Sequence, residues 1–269
     1  MAPPLQFSPL ARTVDFSRRK ARGTGPTVQD GGLQNRRSGF DSLVPRLIDA
    51  VIFDLDGVLL DSEAAWRDAK RDVVDEWGGV WKDEASRAML GMSAPEWSAY
   101  MRDELQVDRD PREIDAEVVK RLLDGYRERL PLLPGAYEAV ERLAARWPLG
   151  LASSSNLEVI EVVMEAGGFA RHFRTWVSSE EVGAGKPAPD VFLEAARRLP
   201  VDPARAAAIE DSHNGILSAH AAGMAVLALP NHEFPPGDEA LALADLVLGA
   251  LDELTVEALE RITRTVRPG

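Results

Sequence analysis

Six short apolar segments, separated by helical or turn-rich stretches, restrict the folds that this 269-residue chain can adopt. The first reads Ile-Asp-Ala-Val-Ile-Phe, and its content of β-branched and aromatic residues is typical of a strand covered on both faces. The alternation of such segments with helices predicts an α/β fold, a doubly wound parallel, Rossmann-like sheet with helices on both faces. The predicted strands are residues 48–53, 149–152, 175–177, 206–209, 225–229 and 246–248, and helices are predicted at 157–166 and 190–199.

The longest interval between predicted strands, residues 64–133, reads as helical throughout. Asp110 is placed to cap a helix that starts at Pro111, and Glu113 is placed to complete a capping box. An insert directly after the first strand would lie over the carboxyl edge of the sheet, where open α/β sheets bind ligands. Apolar residues at helical spacing predict two buried helix faces. They are Trp66, Ala69, Val73 and Trp77 on one helix, and Ile114, Val118, Leu122, Tyr126 and Leu130 on another.

The N-terminal region differs from the rest of the chain in charge. Residues 1–49 contain 8 Lys and Arg against 4 Asp and Glu, so they carry +4 and leave −17 on residues 50–269. Residues 1–47 are predicted to be a disordered extension, with a transit peptide or an over-long reading frame as alternatives. The remaining chain is predicted to form a core domain, residues 48–63 and 134–269, and a helical cap domain, residues 64–133.

Composition excludes several classes of function. The chain contains no cysteine, which removes disulfides, thiolate nucleophiles and thiolate metal sites and favours a cytoplasmic location. Its net charge of −13 disfavours binding to nucleic acid or to an anionic membrane surface. No apolar run approaches the ~18 residues that a membrane span requires. We expect a protein that binds a small molecule and is a monomer or a weak dimer.

Two carboxylates follow the first predicted strand, in the sequence Asp54-Leu55-Asp56-Gly57. Residues two apart on an extended chain point the same way, so Asp54 and Asp56 can face one bound ion or phosphate. Their mutual repulsion predicts a bound Mg²⁺, and Gly57 allows the backbone to turn close to the ligand. A calcium EF-hand loop is excluded, because glycine is fourth here rather than sixth and Ala65 stands where glutamate is needed. A solvated pair of aspartates at a strand end is the alternative.

A hydroxyl-rich turn and an isolated lysine follow later strands. Ser153 and Ser154 stand between an apolar segment and a predicted helix, where hydroxyls and backbone N–H groups can bind phosphate. The alternative for this turn is an ordinary helix N-cap by Ser155, which can hold at the same time as phosphate binding. Lys186 lies in loop 183–190, whose two prolines restrict the backbone. This rigidity favours a binding role over a solvated side chain.

Two further acids, Glu210 and Asp211, end the predicted strand at 206–209, and the apolar run before them argues against simple surface charge. With these residues, the chain resembles the haloacid dehalogenase-like superfamily, in its phosphatase and phosphomutase branch with a helical cap. The resemblance covers residues 48–254. All four signature elements of the superfamily occur in order, at Asp54 with Asp56, at Ser153, at Lys186, and at Glu210 with Asp211.

The resemblance implies a role for each of these residues. Asp54 would be the nucleophile that becomes phosphorylated, and Asp56 would protonate the leaving alcohol and then activate water. Mg²⁺ would be held by Asp54, the backbone carbonyl of Asp56 and Asp211, with Glu210 nearby. The phosphoryl oxygens would be neutralised by Ser153 with the adjacent Ser154, by Lys186 and by the N–H groups around Gly57.

The resemblance also orders the possible activities. Asp56 argues for a phosphate ester, because dehalogenases and phosphonate hydrolases of the superfamily lack the second aspartate. Enzymes similar to β-phosphoglucomutase carry a histidine where this chain has Trp66, and a Lys-Gly-x-Ser-Arg loop where residues 90–94 read Leu-Gly-Met-Ser-Ala. Hydrolysis of a small phosphorylated metabolite, a sugar phosphate, is therefore predicted, with a phosphosugar mutase and a non-catalytic phospho-acceptor or binding module as alternatives. Arg87, Ser93 and Trp97 lie near this loop and are expected to be structural.

Overall fold

The computed structural model of the protein describes residues 42–45, 47–90, 92–231 and 234–266. The strands within these ranges are β1 (Ser42–Pro45), β2 (Ala50–Phe53), β3 (Leu149–Ser153), β4 (Phe173–Ser178), β5 (Ala206–Glu210), β6 (Ala225–Ala228), β7 (Leu246–Val247) and β8 (Thr263–Val266). The α-helices are α1 (Glu63–Glu76), α2 (Ala85–Ala88), α3 (Ala94–Asp103), α4 (Pro111–Glu128), α5 (Ala136–Ala144), α6 (Leu157–Ala166), α7 (Asp190–Arg198), α8 (His213–Ala221), α9 (Asp238–Leu241) and α10 (Val256–Glu260). Short 3-10 helices occupy Ser179–Glu181, Pro203–Arg205 and Leu251–Glu253.

Strands β2 to β7 form one parallel sheet in the order β4-β3-β2-β5-β6-β7, and β1 pairs with β8 in a separate antiparallel sheet. Val51 of β2 lies opposite Leu149 of β3 and Ala207 of β5, so the first strand of the parallel sheet is central. The chain order reverses at β2, and open α/β sheets bind ligands at the carboxyl edge beside such a reversal. The predicted doubly wound α/β fold is confirmed.

Helices cover both faces of the parallel sheet, and alternate residues of its strands enter two hydrophobic cores. Val51 and Phe53 pack in the core that contains the buried residues of α5 and α6. Ala50 and Ile52 pack in the core that contains those of α7 and α8. Burial of all four β2 residues explains why this segment has no polar alternation. No helix in the described part of the chain combines the length and the apolar character needed to cross a bilayer.

Residues 64–133 are largely helical, as predicted, but not throughout, because loops separate the helices α1 to α4. The predicted N-cap of α4 is confirmed, since Asp110 accepts a hydrogen bond from the N–H of Arg112 (2.9 Å). This bond reaches the second helical residue, so a simple cap replaces the predicted capping box with Glu113. Among the predicted apolar positions, Ala69, Val73, Ile114, Val118, Leu122 and Tyr126 are buried, whereas Trp66, Trp77 and Leu130 are half-buried.

The predicted disordered extension, residues 1–47, falls mostly outside the described residues. Residues 1–41 and 46 belong to the undescribed part, as does Gly91 of the predicted cap loop, so disorder there stays a prediction. Ser42–Pro45, in contrast, form β1 and pair with β8, and the prediction of disorder is wrong for this segment. Its partner strand lies near the other end of the chain, where a local pattern cannot reveal it.

Candidate active site

Asp54 stands directly after β2, in the centre of the sheet, and is only 6% exposed. Its N–H donates to the carbonyl of Ile209 in β5 (2.9 Å), which continues the strand pairing by one residue. Lys186 Nζ donates to Asp54 Oδ1 (2.5 Å) and to Glu210 Oε1 (2.6 Å). The structure thus brings together predicted site residues from the ends of β2 and β5 and from the loop before α7.

Glu210 is fully buried, and both of its carboxylate oxygens are used. While Oε1 accepts from Lys186, Oε2 accepts from the N–H groups of Asp211 (3.0 Å) and Ser212 (3.1 Å) and from Ser212 Oγ (3.1 Å). A Cβ atom on Gly215, in the first turn of α8, would lie 1.8 Å from Glu210 Oε1, so glycine there leaves room for the carboxylate. Glu210 therefore fixes Lys186 in place beside Asp54.

The Asp56 carboxylate is held by three side chains. Its Oδ1 accepts from Ser62 Oγ (2.5 Å) and Trp66 Nε1 (3.1 Å), and its Oδ2 accepts from Ser155 Oγ (2.5 Å). The prediction that Ser155 caps the following helix is wrong, because Asn156 occupies the N-cap position of α6 and the Ser155 hydroxyl contacts Asp56 instead. Sequence reasoning missed Ser62 in this role. Its place six residues after Asp56, at the N-cap of α1, was the available signal.

Ser153, Ser154 and Gly57 lie beside these carboxylates. Ser153 Oγ accepts from the backbone N–H two residues later (3.0 Å), and both serines line the cavity described below. Ser154 Oγ is buried and has no hydrogen-bond partner among the described residues, so it can still bond to a ligand. Gly57 has a φ of +76°, and a Cβ atom there would lie 1.9 Å from Asp211 Oδ2. Its N–H donates to the carbonyl of Leu60 (2.8 Å), so Gly57 makes room for Asp211 rather than offering its own N–H to phosphate.

Asp211 completes a cluster of buried carboxylates. Oxygen atoms of Asp54, Glu210 and Asp211 lie within 4.8 Å of one another. Asp211 Oδ2 also accepts a hydrogen bond from Asn231 Nδ2 (3.4 Å). This set of oxygens matches the ligands that Mg²⁺ prefers, and a divalent cation would relieve the repulsion among them.

Burial and the neighbouring charges together shift the pKa values of the residues in this cluster. Burial raises the pKa of Asp54 to about 8, against the opposing charge of Lys186 and with the support of Glu210 and Asp56. Burial likewise raises the pKa of Asp211, and the neighbouring Glu210 and Asp54 add to the rise. Burial disfavours the charged form of Lys186, but the two carboxylates it contacts outweigh this effect, so the pKa of Lys186 is raised. A divalent cation among these oxygens would lower the carboxyl pKa values again.

A cavity of about 100 Å³ lies between the core residues and the start of the helical insert. Its core side is lined by Asp54, Asp56, Ser153, Ser154, Ser155, Lys186 and Asp211. Trp97, expected to be structural, is buried and lines the cavity. Sequence reasoning also missed Lys70, because it falls outside the periodic apolar positions of its helix. The contributions of α1, α3 and the loops beside them include Glu63, Trp66, Lys70, Trp81, Met92 and Trp97.

A polar contact joins the insert to the core near this cavity. Asn156 Nδ2 donates to Asp115 Oδ1 of α4 (3.0 Å) and to Glu180 Oε1 (3.1 Å). Glu180 Oε2 in turn accepts from the N–H of Leu157 (2.7 Å). Burial raises the pKa of Asp115, and the charge of Glu180 adds to the rise. We refer to Asn156, Asp115 and Glu180 as the insert clasp.

Comparisons with known proteins agree with this arrangement. A family model for haloacid dehalogenase-like hydrolases matches residues 48–223. Hexitol phosphatase B of Escherichia coli strain K12 is 36% identical over 226 residues, which cover 80% of this chain and 98% of that protein. CbbY from Rhodobacter sphaeroides, solved in complex with xylulose-(1,5)bisphosphate, is 26% identical with a TM-score of 0.72 over 80% of this chain and 100% of that one. β-Phosphoglucomutase from Clostridium difficile shares the fold, at 24% identity and a TM-score of 0.69 over 79% of this chain and 96% of that one.

Proposed function

The chain belongs to the haloacid dehalogenase-like hydrolases and is a phosphatase of that family, and on this premise we propose that it hydrolyses a small phosphorylated metabolite, a sugar phosphate, in a Mg²⁺-dependent reaction through a phosphoryl-aspartate on Asp54. The observation that carries the proposal is the surroundings of Asp54. Lys186 Nζ lies 2.5 Å from its Oδ1, and carboxylate oxygens of Glu210 and Asp211 lie within 4.8 Å. Similarity to a hexitol phosphatase supports a sugar phosphate as the substrate.

The proposed Mg²⁺ site consists of the carboxylates of Asp54 and Asp211 and the backbone carbonyl of Asp56. The Asp54 and Asp211 carboxylates are buried, and together they carry more negative charge than the positive charge of the neighbouring Lys186 balances, which fits a divalent cation. The Asp56 carboxylate is less suited, because both of its oxygens already accept hydrogen bonds. Glu210 is engaged in the same way, so we assign it to positioning Lys186. When bound, the ion supplies positive charge that neutralises the phosphoryl oxygens.

The reaction is proposed to proceed in two steps. In the first, a carboxylate oxygen of Asp54 attacks phosphorus, the P–O bond to the leaving group breaks, and Asp56 gives its proton to the leaving oxygen. In the second, water attacks the same phosphorus, Asp56 takes a proton from that water, and the bond between phosphorus and Asp54 breaks. The products are an alcohol and inorganic phosphate, and both aspartates return to their starting protonation states.

The hydrogen bonds around Asp56 suit a group that must give and take a proton. Ser62 and Ser155 each place a hydroxyl oxygen 2.5 Å from it, and a hydroxyl can donate to a carboxylate or accept from a carboxylic acid. Trp66 Nε1 can only donate, so it favours the carboxylate that remains after the leaving group is protonated. Asp56 is therefore held in place in both protonation states.

Three side chains are proposed to hold the phosphoryl oxygens. The Ser153 hydroxyl accepts one backbone hydrogen bond, which leaves its proton available to phosphate. The buried Ser154 hydroxyl can also donate. Lys186 supplies positive charge next to the nucleophile.

The helical insert is proposed to be a cap domain that encloses the leaving group and excludes water during the first step. A phosphosugar mutase is the second candidate, supported by the fold shared with β-phosphoglucomutase. Trp66 favours hydrolysis, because enzymes similar to β-phosphoglucomutase carry a histidine at this position. The only polar atom of Trp66, Nε1, already donates to Asp56.

A phosphate-release screen tests the proposal. The full chain is incubated with alditol phosphates, hexose phosphates and phosphoglycolate, with Mg²⁺ and with a chelator. We expect inorganic phosphate only when metal is present, and acid quenching during turnover should yield a phosphorylated peptide that contains Asp54. With β-glucose 1-phosphate, formation of glucose 6-phosphate instead of inorganic phosphate would establish the mutase. Neither product from any ester, with a folded and metal-loaded protein, would refute catalysis and favour a binding module.

A further inference from the structure

Lys70, on α1, is a buried cation that the proposed mechanism leaves unused. It is 8% exposed and lines the cavity that contains Asp54 and Asp56. Its Nζ lies 5.1 Å from the centre of the Trp66 ring and 4.9 Å from the centre of the Trp97 ring. Both distances are within the range of cation–π contacts. The two rings therefore hold the ammonium group in a defined place in the cavity wall.

Among the described residues, the ammonium group has no oxygen partner. Within the described ranges, no carboxylate oxygen lies within 4.0 Å of Lys70 Nζ, and no protein oxygen accepts a hydrogen bond from it. Burial lowers the pKa of Lys70 to about 8, and the charges of Glu63 and Asp56 offset this fall only in part. A buried cation without a counter-ion is unfavourable, and a bound anion would relieve that cost.

Lys70 lies on the leaving-group side of the proposed reaction. Trp66 connects it to the proposed general acid, because Trp66 Nε1 donates to Asp56 (3.1 Å) while Lys70 Nζ lies over the Trp66 ring. Asp56 must reach the oxygen that leaves phosphorus, so the group bonded to that oxygen extends from Asp56 into the part of the cavity that Trp66 and Lys70 line. The phosphoryl group itself is served by Lys186 at Asp54.

We propose that Lys70 is a specificity-determining residue that binds an anionic group on the leaving group. Preferred substrates are then phosphate esters of molecules that also carry a carboxylate or a second phosphate. The inference rests on the proposed phosphatase activity and names the class of ester. A neutral sugar alcohol offers only hydroxyls to Lys70, whereas an anionic oxygen forms a charge-assisted hydrogen bond and neutralises the ammonium group. Trp66 and Trp97 would shield this ion pair from water.

Two matched pairs of substrates test the proposal. Glucitol 6-phosphate and 6-phosphogluconate share a six-carbon open chain and the same scissile ester, and they differ in a hydroxymethyl or a carboxylate at carbon 1. Fructose 6-phosphate and fructose 1,6-bisphosphate differ in a second phosphate. The first pair reports on a carboxylate and the second on a phosphate, so the pair with the larger dependence on Lys70 identifies the source of the anionic group.

Three variants are compared with the unaltered protein. Lys70→Met keeps the length of the side chain without its charge, Lys70→Arg keeps the charge, and Lys120→Met removes an exposed lysine of α4 as a matched control. For the preferred anionic ester, Lys70→Met should lower kcat/KM about 10- to 100-fold, mainly through KM, as expected for the loss of a charged hydrogen bond. For its neutral partner the change should be less than about twofold. Lys70→Arg should retain the preference, and Lys120→Met should resemble the unaltered protein.

If Lys70→Met lowers kcat/KM equally for both members of each pair, the proposal is overturned. Lys70 is then a residue that packs against two indoles. The same conclusion follows if the unaltered protein prefers the neutral esters. Calorimetric binding of the esters to Asp54→Asn, with and without Lys70→Met, separates this proposal from the proposed function. Absence of turnover combined with Lys70-dependent binding of the anionic esters would sink the phosphatase proposal and support the role of Lys70. Binding that does not depend on Lys70 would refute that role.

Discussion

The core side of the cavity and the insert side each contain one buried lysine, but the surroundings of the two lysines are opposite. Lys186 is 5% exposed and Lys70 is 8% exposed, so burial is similar. Two carboxylates contact Lys186 and raise its pKa, whereas two indole rings contact Lys70 and burial lowers its pKa to about 8. The charge of the neighbours therefore decides the direction of the shift. The core side supplies contacting counter-ions and suits a reaction common to all substrates. On the insert side no described carboxylate contacts Lys70, which suits selection among substrates.

The largest effect should come from substitution of the nucleophile on the core side. Asp54→Asn should lower the rate of phosphate release by at least about 10³-fold, because a carboxamide is a poor nucleophile towards phosphorus. The fold should persist, since asparagine is nearly isosteric and one of several mutually repelling carboxylates is removed. Thermal unfolding checks the fold, and Asp108→Asn, at an exposed position, is the matched control. Activity within about tenfold of the unaltered protein would contradict the assignment.

The second largest effect should come from the general acid and base. Asp56→Asn should slow hydrolysis of an alkyl phosphate by ~10²–10⁴-fold, the usual contribution of proton transfer. An aryl phosphate has a leaving group that needs little protonation, so its first step should be affected less than its second. Phosphorylated Asp54 should therefore accumulate in this variant and be detectable by mass spectrometry after acid quenching. An unphosphorylated Asp54 throughout turnover would argue against the two-step scheme.

Substitution of each lysine tests the contrast between the two sides of the cavity, because the two variants should differ in unfolding free energy. Lys186→Met leaves Asp54 and Glu210 buried without their counter-ion and should cost about 3–5 kcal/mol of unfolding free energy at neutral pH without metal. Lys70→Met leaves no buried carboxylate without its counter-ion and should lower the unfolding free energy far less. In Lys186→Met the pKa of Asp54 in the folded state would lie further above its value in the unfolded state, because the opposing charge of Lys186 is gone. The folded state then binds protons more tightly, and its stability should increase as the pH falls.

Urea unfolding of both variants at neutral and at mildly acidic pH measures this difference. The prediction is contradicted if both variants lose the same unfolding free energy, or if the loss in Lys186→Met is not smaller at acidic pH. Either result would mean that the different surroundings of the two lysines do not affect stability.

A smaller effect is expected from titration of Lys70. The ammonium group carries its charge below its pKa, so the preference for an anionic ester should fall as the pH rises through about 8. Glu63 and Asp56 are the charged groups whose fields act on it. The ratio of kcat/KM for 6-phosphogluconate to that for glucitol 6-phosphate cancels the titration of Asp54, which both reactions share. In Lys70→Arg the ratio should stay constant over the same range, because the guanidinium remains charged. A parallel decline in both proteins would assign the titration to another group.

The smallest effect should come from the insert clasp. Asp115→Ala removes one acceptor of Asn156, but Glu180 still accepts from the same amide group. Weaker docking of the insert should raise KM by about 2- to 5-fold with little change in kcat, as expected for one partly exposed hydrogen bond. Asp124→Ala, on the exposed side of α4, is the control. A fall in kcat without a change in KM would mean that the clasp acts on the chemical step.

Much of the fold and of the candidate site could be predicted because the signals are local. The predicted helix at 157–166 coincides with α6, and the predicted strands lie within two residues of β2 to β7. Acid, hydroxyl and lysine segments could be assigned to one edge of the sheet, since parallel strands all end there. The predictions for Ser155 and for Ser42–Pro45 were wrong, because their partners, Asp56 and β8, are distant in the chain. The reading of residues 64–133 as helical throughout was too broad, because loops separate α1 to α4.

Neighbouring residues in the sequence determined the strand and helix periods and the order of the acidic, hydroxyl and lysine segments. Each of these depends on backbone geometry over a few positions. The acidic, hydroxyl and lysine residues on the core side of the cavity could therefore be predicted from the sequence. Long-range packing was needed to place Lys70 Nζ over the Trp97 ring, and to bring the Ser155 hydroxyl to Asp56. Those contacts depend on how α1 packs against α3 within the insert and on the pairing of β2 with β3. Many weak contacts between residues distant in sequence set this packing together.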